Sequence, residues 1–411
     1  MSRLKILLGL AVGLLTALCL TTTTRAQGPS GEYPGPPADD PGAPPVSVAW
    51  ADPAKAGWTW VGDTKTIIVT SDAAGYSVHA DFTQVESPIG GSRVVEDATD
   101  NGDGTYTITH TLTTSEERVS PVTISVTNPA TGATGYEDIW MMTNLDVRTK
   151  APSDCNPDGT LTDESTNFRT VSDFRAVNLV MHCPAHGKIR FLSPLDLTDY
   201  LMMDWLHGLG QRLDAGLGKM GLDISDVATY LADKGAEMTL YHLPYLSTPT
   251  ILMDGADASD VVSDVSYDPA TGTLTFTAAH FSTFTAVPTI TISEPEDNTS
   301  VAATRITVKG SVNDPGATVK IYVNDVDQGD VSVGSDGSFE KEVTLNQHEN
   351  TIRVTASNYI GDALPVTRTV ISTVLPATGL SVWLGVGAGV LIVLGIVFLI
   401  SAHQRRTKLS Q

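Results

Sequence analysis

Residues 100–112 read DNGDGTYTITHTL. A cluster of Asp, Asn and Gly is followed by regular alternation of Thr with larger residues, the pattern of a tight turn feeding a strand that turns one face inward. Runs of the same kind recur at 66–70, 77–83 and 122–127, each bounded by Gly, Pro, Asn or Asp. Short strands at this spacing across 46–147 predict an antiparallel β-sandwich.

The rest of the chain extends that reading. Its 411 residues leave room for about two to four modest domains. Long amphipathic helices are scarce, so the expected class is mainly β, as a series of sandwich modules around a central module that mixes strands with a helical insertion. Acidic residues number 47 against 25 basic ones. No Asp or Glu occurs before Glu32 or after Asp362, whereas Arg3, Lys5, Arg25, Arg405, Arg406 and Lys408 lie in the terminal segments. The acidic interior has the wrong sign for a phosphate backbone, which rules out nucleic acid as a partner.

Both ends are apolar. Residues 1–26 open with Arg3 and Lys5, run apolar over 6–20 and turn polar before Ala26, the three regions of a secretory signal, with cleavage expected between Ala26 and Gln27. An uncleaved anchor is the alternative. The stretch 380–403 carries no charge and is followed over 404–411 by Arg405, Arg406 and Lys408. That length spans a hydrocarbon core of roughly 30 Å as a helix, and the bases hold its end in the cytoplasm. The expected location of everything between the two ends is extracellular.

Immediately before that stretch stand Leu375, Pro376, Ala377, Thr378 and Gly379. The pentapeptide, the apolar span and the basic tail, in this order, resemble the LPxTG sorting signal of wall-anchored bacterial surface proteins. The resemblance implies a sortase that cuts between Thr378 and Gly379 and joins Thr378 to peptidoglycan. Pro376 holds the peptide extended, and Gly379 leaves the scissile carbonyl open to a cysteine nucleophile. Without a matching sortase the chain remains a single-pass membrane protein.

Between the ends, residues 27–45 hold seven prolines and predict an extended, solvated arm. The module 46–147 reads as immunoglobulin-like, and its 100–112 stretch is similar to the hairpin of filamin-type and bacterial Ig-like repeats. In 148–287 a helix is expected from a cap at Thr198, with Leu201, Met202, Trp205, Leu206, Leu209 and Leu213 on one face, and a second short helix from Ser225. Strands are expected at 187–191, 236–245 and 271–286. These pieces, with Gly187-Lys188-Ile189, Tyr241-His242-Leu243-Pro244 and His280-Phe281-Ser282, resemble a module of bacterial and archaeal surface proteins; that resemblance implies exposure and no ligand. Residues 288–374 resemble a bacterial Ig-like domain through Val308-Lys309-Gly310, Pro315-Gly316-Ala317 and the turn Ser335-Asp336-Gly337-Ser338.

Candidate chemistry is sparse. Cys155 and Cys183 form the only cysteine pair of the mature chain, and a disulfide is the expectation, with free thiols or a metal site of His182, Cys183 and His186 as alternatives. Asp97, Asp100, Asn101 and Asp103 are candidates to gather calcium, but the calcium-loop spacing is not met and turn formation is the plainer role. Residues 216–221 match GxGxxG without the preceding strand that a nucleotide site needs. His280 is expected inside a strand, hydrogen-bonded within its sandwich. Trp58 and Trp60, two apart, share one strand face that would stack on sugar rings if open, with a core role as the alternative.

The expected function is non-enzymatic: an exported, wall-anchored protein that displays β-sandwich modules for adhesion to an extracellular protein or glycan. A polysaccharide-binding or carbohydrate-processing role and a structural envelope role are the alternatives. A hydrolase assembled from scattered histidines and carboxylates stays open.

Overall fold

Strand pairing begins at residue 47 and continues to residue 372, and three successive units result. The computed structural model describes residues 35–87, 91–146, 150, 155 and 164–374. The signal segment with Ala26 and Gln27, the start of the proline-rich arm, the 375–379 motif, the 380–403 span and the basic tail lie outside the described residues. Among the described residues no helix is long and apolar enough to cross a membrane.

In the first unit, Ser47–Trp50, Thr64–Thr70, Thr105–Thr111 and Thr99–Asp100 form one sheet in that order. Trp58–Thr59, Thr134–Thr143, Arg118–Thr127, Ser77–Asp81 and Val95–Asp97 form the other. Ile67, Val69, Tyr106, Ile108, Val122, Ile124 and Val126 are buried between them, at every second position of their strands. The first segment changes sheets. It pairs antiparallel with Thr64–Thr70, crosses over 51–57, then pairs parallel with Thr134–Thr143.

The third unit repeats this device. Ile290–Glu294 pairs with Arg305–Val312 in one sheet, and Thr299–Val301 runs parallel to Val366–Ser372 in the other. A cis peptide at Glu294-Pro295 lies at the switch.

The middle unit consists of two five-stranded antiparallel sheets. One holds Val180–Cys183, Gly187–Phe191, Ala236–Leu240, Thr273–Ala278 and Val262–Asp268; the other holds Leu213–Gly216, Lys219–Leu222, Thr283–Val287, Thr250–Met253 and Ala256–Asp257. A helix at Tyr200–His207 buries Met202, Met203, Trp205 and Leu206 against the shared core.

Four sequence expectations need correction. The helix cap is Asp199, whose carboxylate accepts the Leu201 N–H at 2.8 Å, while the Thr198 hydroxyl donates to Asp196. Gly208 closes that helix, and Leu213 joins the core from a strand. The 271–286 stretch is not one strand but two in different sheets, and His280, in the crossing, is exposed. The arm is not free over its whole length: the Thr134 and Tyr136 N–H groups donate to Asp40 and Asp39, and Pro44 is buried. Gly135 permits this, since a Cβ there would lie 2.5 Å from the Pro44 carbonyl oxygen.

The first and third units each keep a core of their own, but one end of the first unit is built into the core of the second. Trp58, Trp60, Met142 and Leu145 of the first belong to the same buried cluster as Phe168, Phe174 and Leu197 of the second. At the other joint the Asn313 side chain donates to the Ser247 and Thr248 carbonyls and accepts the Thr289 N–H at 2.7 Å.

Candidate functional site

The crossing at 51–57 creates a cleft of about 520 Å³, lined by the first unit and by Arg169 of the middle one. The segment turns back on itself, with the Ala56 N–H donating to the Asp52 carbonyl at 2.9 Å, and the Phe174 N–H docks on the Ala54 carbonyl at 2.6 Å. Trp50, half-buried at the end of its strand, lines the cleft beside Lys65, Lys55 and Arg169.

Lys65 shares the inward parity of Ile67 and Val69, so its strand sends it toward the end of the sandwich rather than into open solvent. Its ammonium donates to the Ala56 carbonyl at 3.2 Å. Burial lowers its pKa to about 8; Asp52 and Asp63 oppose the shift and Lys55 adds to it. Lys55 donates to the Val171 carbonyl and sits 5.6 Å from the Phe174 ring centroid. Arg169, from the helical turn Phe168–Thr170, places its guanidinium 5.9 Å from the Trp60 ring centroid. Among the described residues none of these three bases forms an ion pair. Two carboxylates share the cleft, and Asp63 accepts the Trp60 N–H at 2.9 Å. Three bases, two acids and a half-buried indole thus line one polar cleft.

Trp58 and Trp60 do not form an open face. They are 1% and 7% exposed, and Phe174 and Phe168 cover the Trp58 ring at centroid distances of 4.3 and 5.0 Å. They form the floor of the cleft. Composition alone could not show this, because the residues that cover them come from more than a hundred positions later. Trp50, Lys65 and Arg169 were not singled out by the sequence. A lysine at the core parity of a strand was the available signal.

The remaining candidates fall elsewhere. Cys155 and Cys183 are joined by a disulfide, and both are buried. The carboxylates read as calcium candidates build turns and pairs: Asp100 accepts from the Gly102 and Gly75 N–H groups, Asp103 from Thr105, and Asp97 faces His79 at 2.7 Å. Asn101 donates to the Thr105 and Thr107 hydroxyls. Among the described residues no three His, Cys, Asp or Glu side chains gather to hold a metal ion. The GxGxxG stretch is a hairpin between Leu213–Gly216 and Lys219–Leu222, with Gly218 at φ +65°.

Comparison with known proteins gives limited overlaps. Solved structures with similar arrangements include the fibronectin(III)-like modules of Clostridium thermocellum CbhA, at 8% identity and a TM-score of 0.18, covering 79% of this chain and 94% of that one. The titin domains z1z2 in complex with telethonin match at 8% identity and a TM-score of 0.18, covering 79% and 96%. Bacillopeptidase F of Bacillus subtilis (strain 168) is 39% identical over 72 residues, 18% of this chain and 5% of that protein. The chain thus matches only a small part of that relative's length. Residues 288–374, the third unit, match the family model described as glucodextranase, domain B.

Proposed function

We propose that this chain is an exported, non-catalytic surface protein that holds a saccharide-binding cleft away from the cell on a series of β-sandwich units. The cleft carries the reading: a half-buried tryptophan stands beside unpaired bases and carboxylates at a joint whose two sides share one core. The terminal segments supply the rest, with sortase attachment through Thr378 to peptidoglycan and the 380–403 span as a membrane anchor before processing. The glucodextranase domain B match supports a carbohydrate-related setting for the third unit. Adhesion to a glycan follows from the cleft, while a purely structural envelope role would leave it unused.

Two measurements test this. Mass spectrometry of peptides released from digested cell wall is expected to find a fragment ending at Thr378 and linked to a wall precursor. Recovery of the tail through Gln411 from the membrane would overturn the wall attachment. A glycan array probed with the full chain is expected to return saccharide ligands whose binding weakens in Trp50→Ala. An array without ligands would overturn the binding role.

A further inference from the structure

We infer that the cleft at the 51–57 crossing selects saccharides bearing isolated carboxylates, with Lys65 and Arg169 receiving the acid group and Trp50 receiving the sugar ring. This inference rests on the saccharide-binding reading of the cleft and adds the charge class of the ligand.

The argument starts from imbalance. The whole chain has 25 bases against 47 acids, yet Lys55, Lys65 and Arg169 outnumber Asp52 and Asp63 around this one cavity. Ion pairs are common elsewhere, as between Arg190 and Glu237 or Arg212 and Asp226, but these three bases have none among the described residues. The Lys65 ammonium donates to the Ala56 carbonyl at 3.2 Å. Asp52 and Asp63 act on this ammonium only from a distance, without a direct ion pair, and an anionic group placed against it in the cleft would offset the cost of its burial. The depressed pKa of Lys65 agrees with this geometry.

The remaining groups fit a sugar. Asp52 and Asp63 offer acceptors for ring hydroxyls, and Thr64 and Thr66 line the same cleft. The cavity of about 520 Å³ lies in the range of small-ligand sites. Charge at long range then narrows the class. A net charge of −22 repels a densely charged polymer, so a sugar chain with sparse carboxylates is favoured over a sulfated one.

The test is calorimetric titration of the full chain in detergent with three probes: a uronic-acid trisaccharide, its carboxyl-reduced neutral counterpart, and heparin. The uronate is expected to bind at least roughly ten-fold tighter than the neutral sugar, as one charge-assisted hydrogen bond would give. Lys65→Met, which keeps the stem that packs in the cleft, is expected to remove that preference. Arg169→Ala, at an exposed position, is expected to reduce it, and melting curves on both variants check folding. Equal binding of uronate and neutral sugar would leave the saccharide site standing and overturn its charge preference. Tightest binding to heparin would overturn the sparse-charge class, and a preference that survives in both folded variants would overturn the cleft as its source. Failure of every probe to bind the folded chain would overturn the saccharide reading itself.

Discussion

The indole of Trp58 lies stacked on the ring of Phe174, with centroids 4.3 Å apart and planes 15° from parallel. Its Nε1–H donates to the Leu197 carbonyl at 2.7 Å. One side chain of the first sandwich is thus held by two points of the middle unit, and its polar edge is satisfied where it is buried.

Trp58→Ala is therefore expected to destabilise the chain by about 3–5 kcal/mol, the usual cost of emptying a large buried aromatic site. Urea unfolding followed by tryptophan fluorescence and near-UV circular dichroism measures it. A double-mutant cycle with Phe174→Ala should show a coupling of about 0.5–1.5 kcal/mol. Additive losses would mean that the two rings do not bind the units together.

The second joint depends on Asn358. Its amide donates to the buried Asp314 carboxylate at 2.7 Å and lies 3.3 Å from the Tyr245 hydroxyl, which itself donates to the Ala286 carbonyl. Asn358→Ala leaves Asp314 one donor short, at a cost of about 1–3 kcal/mol. Hydrogen exchange offers a local readout. The Leu246 N–H, which donates across the joint to the Asn313 carbonyl at 2.7 Å, should exchange faster in the variant.

Acid sensitivity is expected from Glu86. Burial pushes its carboxyl up, but donors outweigh that effect: the Thr113 hydroxyl and N–H, the His110 ring at 2.7 Å, and the Thr114 N–H hold it below its ordinary 4.5. A depressed carboxyl stabilises the fold fully above its unfolded value, and that contribution is lost as the pH falls through the lower folded value. Glu86→Gln should lower stability near pH 7 and flatten its fall below about pH 4.5. Denaturation at several pH values checks both, and an unchanged acid slope would remove Glu86 from the account.

The Cys155–Cys183 disulfide closes a loop with a sequence separation of 28. On loop entropy alone its loss should cost about 3–4 kcal/mol. Melting with and without reductant, compared with the Cys155→Ser, Cys183→Ser double variant, gives the figure. Equal melting temperatures in all three samples would show that the bridge adds no stability.

Strand content was legible because it is local. The alternation at 105–111 and in Thr64–Thr70 places those strands within a residue or two, since a half-buried strand imposes a period of two on its own segment. Where the chain changes sheets the signal fails. The 271–286 stretch keeps an alternating pattern through a crossing, because inward residues on two facing sheets meet one core and look alike in sequence.

By itself, the sequence determined a mainly β chain, rich in turns and acidic over its interior, with basic apolar ends. These properties depend on residue type and on spacing along the chain. Only the tertiary structure decided what Trp58, Trp60 and Lys65 face. The tryptophans are covered by Phe168 and Phe174, and Lys65 lines a cleft with Arg169. Those neighbours are brought together by two folded units that share a core, and burial is set by what arrives from elsewhere in the chain rather than by a residue's own surroundings in sequence.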